Sequence, residues 1–245
     1  MHNHTDSLVS TLLDQVRSPG FALTEGDTMR ALLTSTGDLT DWTDFVDSWN
    51  HLEPDAYLAA KGRFRRRRHA TFSATVDGPV MPEPHRAHFQ SLEYNALQGD
   101  IQRWFAPVDT SVVNGATLRR ILQFCHQLFG KAAPSAQRWH IEVHQFRIEA
   151  TADAAGEPTP EGSHRDGVDY VLVLLVNRQN IASGTTTIHT PDGRLLGSFT
   201  LTHALDSALI DDHKVYHGVT PVRPLAEDSP AFRDVLVVTF KASGS

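Results

Sequence analysis

The residues best placed to do chemistry in this sequence are His164, Asp166 and His217. His164 and Asp166 lie two apart in Gly162-Ser163-His164-Arg165-Asp166-Gly167. On an extended segment, residues i and i+2 point to the same side. One imidazole nitrogen and one carboxylate oxygen therefore face a common point, where a metal ion would sit. A third ligand must come from elsewhere, and His217 in Val215-Tyr216-His217-Gly218-Val219-Thr220-Pro221 is the best candidate. His213 shares its strand parity and is the rival. Two histidines and a carboxylate on one face of an octahedron leave three positions open, the arrangement used by iron(II) in oxygen activation. A 2-oxoglutarate fills two such positions and dioxygen the third. Asp166 occupies the place a halide would need, which argues against halogenation.

A His-x-Asp alone is weak, because a structural His–Asp hydrogen bond is the commoner reason for one. His164-Arg165-Asp166 also resembles a kinase catalytic loop. The chain lacks the Asn, the glycine-rich loop and the Asp-Phe-Gly that would accompany it. The signal gains weight from its setting: a glycine-flanked His-x-Asp entering a strand, a distant His ending one, and an Arg opening the last. That Arg is Arg233, before Asp234-Val235-Leu236-Val237-Val238-Thr239-Phe240. A guanidinium grips a carboxylate through two parallel hydrogen bonds, so it suits the distal carboxylate of 2-oxoglutarate. Arg223, on a proline-bounded loop, competes for the role. A strand holds a side chain more rigidly, which favours Arg233.

The elements that must position these groups change character along the chain. The first half reads as mixed and partly helical. Helical spacing runs over Ser7–Arg17, Thr24–Leu33, Trp42–Trp49 and, most clearly, Thr117–Phe129. Thr24 is the expected N-cap of the second helix, with Asp27 at N3. Gly20–Leu23 reads as a short strand or turn. From Trp139 onward, strands are expected at Ile141–Thr151, Asp169–Asn177, Thr185–Thr190, Leu195–Thr200, Ser207–Asp211, Lys214–Val219 and Asp234–Lys241. Pro191-Asp192-Gly193 is a turn between two of them, since Pro presets φ and Gly takes positive φ. Ala152–Gly162 is a loop. Regularly spaced short strands point to an antiparallel sandwich or barrel. The expectation is a single domain over 1–245, with a mixed part at 1–138 and a metal-binding core at 139–245.

The bulk composition is that of an ordinary globular protein, 40% hydrophobic and 21% charged over 245 residues. The net charge of −7 argues against a general nucleic-acid binder. A single cysteine, Cys125, forbids an intrachain disulfide and fits a reducing cytoplasm. No apolar run is long enough to span a membrane. The first residues lack the basic and apolar regions of a signal peptide. His2 and His4 read as a polar terminus; His140, His189 and His203 read as core or surface residues. His144 stands apart, because Ile141–Thr151 is placed to line the site.

Several separate stretches, in order, resemble one known group. They are Phe89-Gln90-Ser91-Leu92-Glu93-Tyr94-Asn95, Val143-His144-Gln145-Phe146-Arg147, His164-Arg165-Asp166, His217-Gly218-Val219-Thr220-Pro221 and Arg233–Phe240. The chain resembles, from about Trp42 to Phe240, the bacterial 2-oxoglutarate and iron(II) dioxygenases that include L-isoleucine hydroxylase. Arg223 departs from that pattern. The resemblance implies a mainly β protein, a double-stranded β-helix or jelly roll, with flanking helices mostly from the N-terminal half. It implies Fe(II) on His164, Asp166 and His217, 2-oxoglutarate on Arg233, and hydroxylation of a free L-amino acid with O2, releasing succinate and CO2. Ascorbate is expected to stimulate.

An amino-acid substrate needs a cation for its carboxylate and an acceptor for its ammonium. Arg147 and the run Arg63-Phe64-Arg65-Arg66-Arg67-Arg68 are candidates for the first. Glu93, Asp169 and Asn95 are candidates for the second, with Gln145 beside them. Alternate arginines of an extended run face in and out, so only some reach a pocket. Trp104, Phe105, Phe89 and Tyr94 are candidates for its wall. Expected partners are a small-molecule substrate and, left open, a second copy of the chain; nucleic acid and membrane are not expected. Two alternatives remain: a hydroxylase of peptide or carrier-bound residues, for which the basic run is the supporting feature, and a non-redox, cupin-like metal-binding jelly roll.

Overall fold

The computed structural model describes residues 2–59, 65–94 and 99–243, with side chains from residue 5 onward. In chain order the elements are α1 (His2–Arg17), β1 (Phe21–Thr24), α2 (Gly26–Thr34), α3 (Trp42–Asp47), a 3-10 turn (Ser48–His51), β2 (Glu53–Pro54), α4 (Ala56–Ala59), β3 (Arg66–Thr75), β4 (Met81–Pro82), α5 (Thr110–Val113), α6 (Ala116–Ala132), β5 (Arg138–Ala150), β6 (Tyr170–Gln179), β7 (Ile181–Ser183), β8 (Thr185–His189), β9 (Leu195–Thr200), β10 (Ser207–Asp211), β11 (Tyr216–Val219), β12 (Val222–Pro224) and β13 (Ala231–Ala242).

A large antiparallel sheet runs β1-β10-β6-β13-β5-β3-β2, with β4 on β3. It is faced by two smaller ribbons, β11-β8-β9 and β12-β7. Alternation along the long strands sorts side chains to two faces. Ile141 and Val143 of β5, Leu172 and Leu174 of β6, and Leu236, Val238 and Phe240 of β13 turn outward. They meet Val16, Met29, Leu33, Leu118, Ile121 and Phe129 of the helices. Phe129 stacks on Tyr170 at 4.8 Å and meets the edge of Phe240 at 5.2 Å. Each fully buried Leu or Phe of this layer contributes about 1.5–3 kcal/mol. The opposite face of the sheet turns inward, toward the small ribbons, and forms the interior of a jelly roll.

Two helix starts are capped by carboxylates far away in sequence. Asp206 accepts from Gly26 N at 2.9 Å, and Asp41 accepts from Thr117 N at 2.8 Å. The expected cap Thr24 instead ends β1, and its buried hydroxyl has no partner. The reason is register: Thr24 pairs with Ser207 in the sheet, so the helix begins two residues later. The Pro191-Asp192-Gly193 turn forms as expected, with Thr190 N donating to Arg194 O at 2.9 Å and Gly193 at φ 86°. β3 is the largest element that sequence periodicity misses. The four consecutive arginines at its start, Arg65 just before it and Arg66–Arg68 within it, hide the alternation. β7 and β12 are too short to read, and Arg223 lies on β12 rather than in a loop.

Candidate metal centre

His164 and His217 form an isolated antiparallel bridge: each donates its N–H to the other's carbonyl at 2.9 Å. Directly paired residues project to the same side of a ladder, and the two imidazole centroids lie 4.6 Å apart. Asp166 completes the group. Its Oδ1 is 3.5 Å from His164 Nε2 and its Oδ2 is 3.5 Å from His217 Nε2. One donor atom from each of the three lies within 4.8 Å of the others. The His-x-Asp turn is held from below by Asp212, whose carboxylate accepts from the N–H of Asp166, Gly167 and Val168 at 3.0, 2.8 and 3.2 Å. Gly167 has φ 78°, and a Cβ there would lie 2.5 Å from the Tyr94 ring. The rival His213 is turned away, 68% exposed and paired with Asp169 at 2.9 Å.

The electrostatics suit a cation. Burial works against charge at all three residues. Even so, His164 and His217 hold the Asp166 carboxyl well below the usual range. Against the effect of burial, Asp166 and then Glu161 push His164 up to about 9. Burial, with His164 beside it, pushes His217 down to about 4. The group thus offers a carboxylate, a neutral imidazole and an imidazole whose proton a metal would displace. His217 Nδ1 is buried without a partner among the described residues.

The three side chains open into a cavity of about 430 Å³. Its floor is the inward face of the large sheet: His140, Glu142, His144, Phe146 and Ile148 from β5, with alternate residues of β13 beside them. Arg233 is one of those. It is 1% exposed, and its Nε and Nη2 have no hydrogen-bond partner among the described residues. Burial, and then Arg178, lowers its pKa to about 10. A buried guanidinium without a carboxylate is a costly arrangement, and this one faces the same cavity as the His/Asp group.

Residues 46–239 match the family described as 2OG-Fe dioxygenase. The chain belongs to that family. It is 29% identical to an L-isoleucine-4-hydroxylase of Bacillus thuringiensis over 198 residues, 80% of each chain. It is 23% identical to a 3(1)-hydroxy-L-isoleucine 4-dioxygenase of Pantoea ananatis, covering 91% of this chain and 92% of that one. Among solved structures, a bsmA homolog of Methylobium petroleophilum superposes with a TM-score of 0.86 at 38% identity, covering 96% of this chain and 94% of that one. The fold is shared with IDO from Bacillus thuringiensis at a TM-score of 0.78 and 22% identity, over 96% of each chain.

The chain is therefore a 2-oxoglutarate- and iron(II)-dependent dioxygenase of jelly-roll fold, an oxidoreductase whose family implies Fe(II), 2-oxoglutarate and O2. Its residues fit those groups. Two imidazoles and a carboxylate are the donor set for such an iron, and the orphaned guanidinium of Arg233 fits a carboxylate.

The dioxygenase places the other sequence candidates elsewhere. Arg147 lies on the helix-facing side of β5, where its Nε and Nη2 each donate to Asp234 at 2.7 Å. Gln145 is on that side too, and its Nε2 donates to Ser48 Oγ at 2.8 Å. Their odd parity turns them from a cavity that His144 and Phe146 line, so neither is positioned to touch substrate. Arg223 is exposed on β12 and outside the cavity, which removes it as a rival to Arg233. Glu93 is exposed and does not line the cavity. Asp169 accepts from His213 Nε2 and from Ala242 N at 2.7 Å, away from the cavity. Asn95 and the Arg63-Phe64 pair lie outside the described residues. Tyr94 and Phe89 line the cavity; Trp104 does not, and Phe105 packs behind it.

Sequence reasoning missed a second polar group. His69, His88 and His144 surround Glu142, with donor atoms within 4.8 Å of one another. His88 Nδ1 lies 2.6 Å from Glu142 Oε2, and His144 Nε2 lies 3.3 Å from it. Arg67 Nη2 donates to His144 Nδ1 at 2.8 Å. A guanidinium only donates, so the hydrogen of neutral His144 must sit on Nε2, pointing at Glu142. That leaves no lone pair there for a metal. This group is a hydrogen-bonded carboxylate wall. The signal for it was the i, i+2 spacing of Glu142 and His144 on an expected strand.

Proposed function

We propose that His164, Asp166 and His217 hold the iron(II), that Arg233 holds the distal carboxylate of 2-oxoglutarate, and that the enzyme hydroxylates an unactivated C–H of a free L-amino acid. The observation that carries this reading is the Arg233 guanidinium, buried and without a carboxylate, in the same cavity as the His/Asp group. The names of two relatives, both isoleucine-type oxygenases, support the substrate class.

Iron(II) held there would activate O2, with 2-oxoglutarate as co-reductant: one oxygen atom would go to succinate as CO2 leaves, and the other to the hydroxylated C–H. The chain supplies position and exclusion of water. The His164–His217 bridge fixes two donors to one ladder, and Asp212 fixes the turn that carries the third. Asp166 remains ionised because two imidazoles face it. Arg233 sets the direction of the cosubstrate through a fork fixed in the sheet. Val173, Val235 and Val237 keep the cavity wall beside it apolar, which strengthens each of these interactions. We further propose that ascorbate stimulates, that 1–245 works as one domain, and that the enzyme is cytoplasmic; a homodimer is a subsidiary proposal.

The test is succinate formation by protein purified without oxygen, then given iron(II), 2-oxoglutarate, ascorbate and air, with and without each free L-amino acid. Succinate should rise with one amino acid and vanish in Asp166→Ala. Bound 2-oxoglutarate with no turnover on any amino acid would move the substrate to another class. Failure to bind 2-oxoglutarate would sink the reading.

A further inference from the structure

The arginine run beside β3 divides by strand parity. Arg66 and Arg68 turn outward, to Glu149 at 3.0 Å and to Glu53 at 2.9 Å, with Asp109 also on Arg68. Arg65 and Arg67 turn into the cavity. Arg67 is 2% exposed, its guanidinium 3.5 Å from the Phe105 ring centroid and 4.6 Å from that of Phe146. Its Nε has no hydrogen-bond partner among the described residues. The nearest carboxylate, Asp55, is 3.8 Å from Nη1 and is already engaged by Arg65 Nε at 3.0 Å and by the N–H groups of Tyr57 and Leu58. Arg103, 1% exposed, lines the same end and donates to Gln90 Oε1 at 2.9 Å.

Arg65 and Arg67 thus share the Asp55 carboxylate, and Arg103 adds a third guanidinium to this end, with Glu161 and Glu142 the other acidic groups of the cavity wall. An incoming anion would relieve that imbalance. The aromatic rings hold Arg67 in place beforehand, so little side-chain freedom is lost when it is used.

This end is separate from Arg233. In the sheet, Arg67 pairs with Phe146 on one side of β5, while Arg233 pairs with Ile148 on the other. Two strand spacings and a two-residue step put their Cα atoms roughly 12 Å apart. The cavity therefore has two cationic ends with an apolar strip between them.

We propose that Arg67, with Arg103 beside it, receives the carboxylate of the amino-acid substrate. This rests on the reading that Arg233 takes 2-oxoglutarate. It assigns the second cationic end to the second anion the reaction needs.

The experiment is calorimetric titration of the iron(II)- and 2-oxoglutarate-loaded protein, without oxygen. The probes are free proteinogenic L-amino acids, then the primary amide of the tightest binder. The amide should bind about 10- to 100-fold more weakly than the acid, the span expected for loss of a hydrogen-bonded charge. Arg67→Gln should weaken the acid by a similar factor and the amide hardly at all. The affinity for 2-oxoglutarate should be unchanged, which a general structural defect would not allow. Arg67→Lys should recover part of the acid's affinity. The comparison of acid with amide on unaltered protein needs no variant to fold. Equal binding of acid and amide, or undiminished binding of the acid to Arg67→Gln, overturns the proposal. So does a protein that binds 2-oxoglutarate yet no free amino acid. A protein that fails to bind 2-oxoglutarate is a different failure: it removes the oxygenase reading, and this inference with it.

Discussion

Replacing Arg233 by Met should make the empty protein more stable while removing its cosubstrate. Arg233 leaves two donor nitrogens in a buried setting without partners among the described residues. Each orphaned donor costs about 1–3 kcal/mol, before any term for the unpaired charge. Water entering the cavity takes back part of this, so about 1 kcal/mol is a fair floor for the gain on substitution. Met fills a similar volume with no polar atom and adapts to irregular gaps. For a chain of this length, 1 kcal/mol moves the melting temperature by about 2–4 °C. The charge-assisted contacts to 2-oxoglutarate are lost at the same time. At about 1.5–3 kcal/mol each, one lost contact weakens binding about 10- to 150-fold. The assay is a thermal melt of wild type and Arg233→Met, each with and without 2-oxoglutarate. The expected pattern is a higher midpoint for the empty variant, and a rise with 2-oxoglutarate in wild type alone. An empty variant that melts several degrees lower would refute the reasoning, because Arg233 would then be satisfied in the resting protein. So would a variant that 2-oxoglutarate still stabilises fully.

Three further outcomes follow from contacts outside the cavity. Arg147→Ala strands the Asp234 carboxylate, which is 1% exposed. Breaking a buried pair from one side costs about 3–5 kcal/mol, so the midpoint should fall by at least roughly 6 °C; calorimetry should find the affinity for 2-oxoglutarate unchanged. Gly218→Ala sets a Cβ 3.1 Å from Ser163 Cα and 3.2 Å from Ser163 N. The segment carrying His164 must yield, so iron(II) affinity measured by chelator competition should fall more than stability does. Asp206→Asn weakens the remote cap of α2 and the N–H contacts to Thr202 and His203, both 2.8 Å. Burial alone would raise the Asp206 pKa, but His203, Thr202 and Gly26 donate to it and hold it below its ordinary value. A depressed carboxylate stabilises the fold fully above its unfolded pKa, about 3.9, and loses that contribution as pH falls through the folded value. The variant should therefore be less stable by about 1 kcal/mol at neutral pH and should converge on wild type in acid melts.

How much was legible from sequence depended on whether the deciding physics was local. The His164, Asp166 and His217 cluster was legible as a candidate because i, i+2 geometry puts Asp166 on the same side as His164, and the structure brings His217, which lies inside β11 rather than at its end, beside them. The large strands were legible from β-branched runs, and the jelly roll followed from the resemblance of ordered motifs. β3 was not, because a strand with both edges paired and charged side chains on both faces breaks the alternation that marks strands. Its outward arginines find Glu149, Glu53 and Asp109, and its inward ones reach a cavity that no local pattern reveals. The cap on α2 comes from a residue 180 positions away, beyond any motif.

The error at Arg147 and Gln145 has a different origin, because the information to avoid it was present. A one-residue change of parity sends a strand residue to the other face of the sheet. Placing His144 beside the site commits Glu142, Phe146 and Ile148 to the same face, and commits Gln145 and Arg147 to the helices. The residue types suggested substrate contacts; the period of two excluded them. The same rule, applied one strand away, turns Arg67 rather than Arg66 or Arg68 toward the cavity. Register relative to one fixed residue is thus what selects among the many arginines of this chain: Arg233 and Arg67 by parity with the cavity face, Arg147 and Arg66 by parity with the outside.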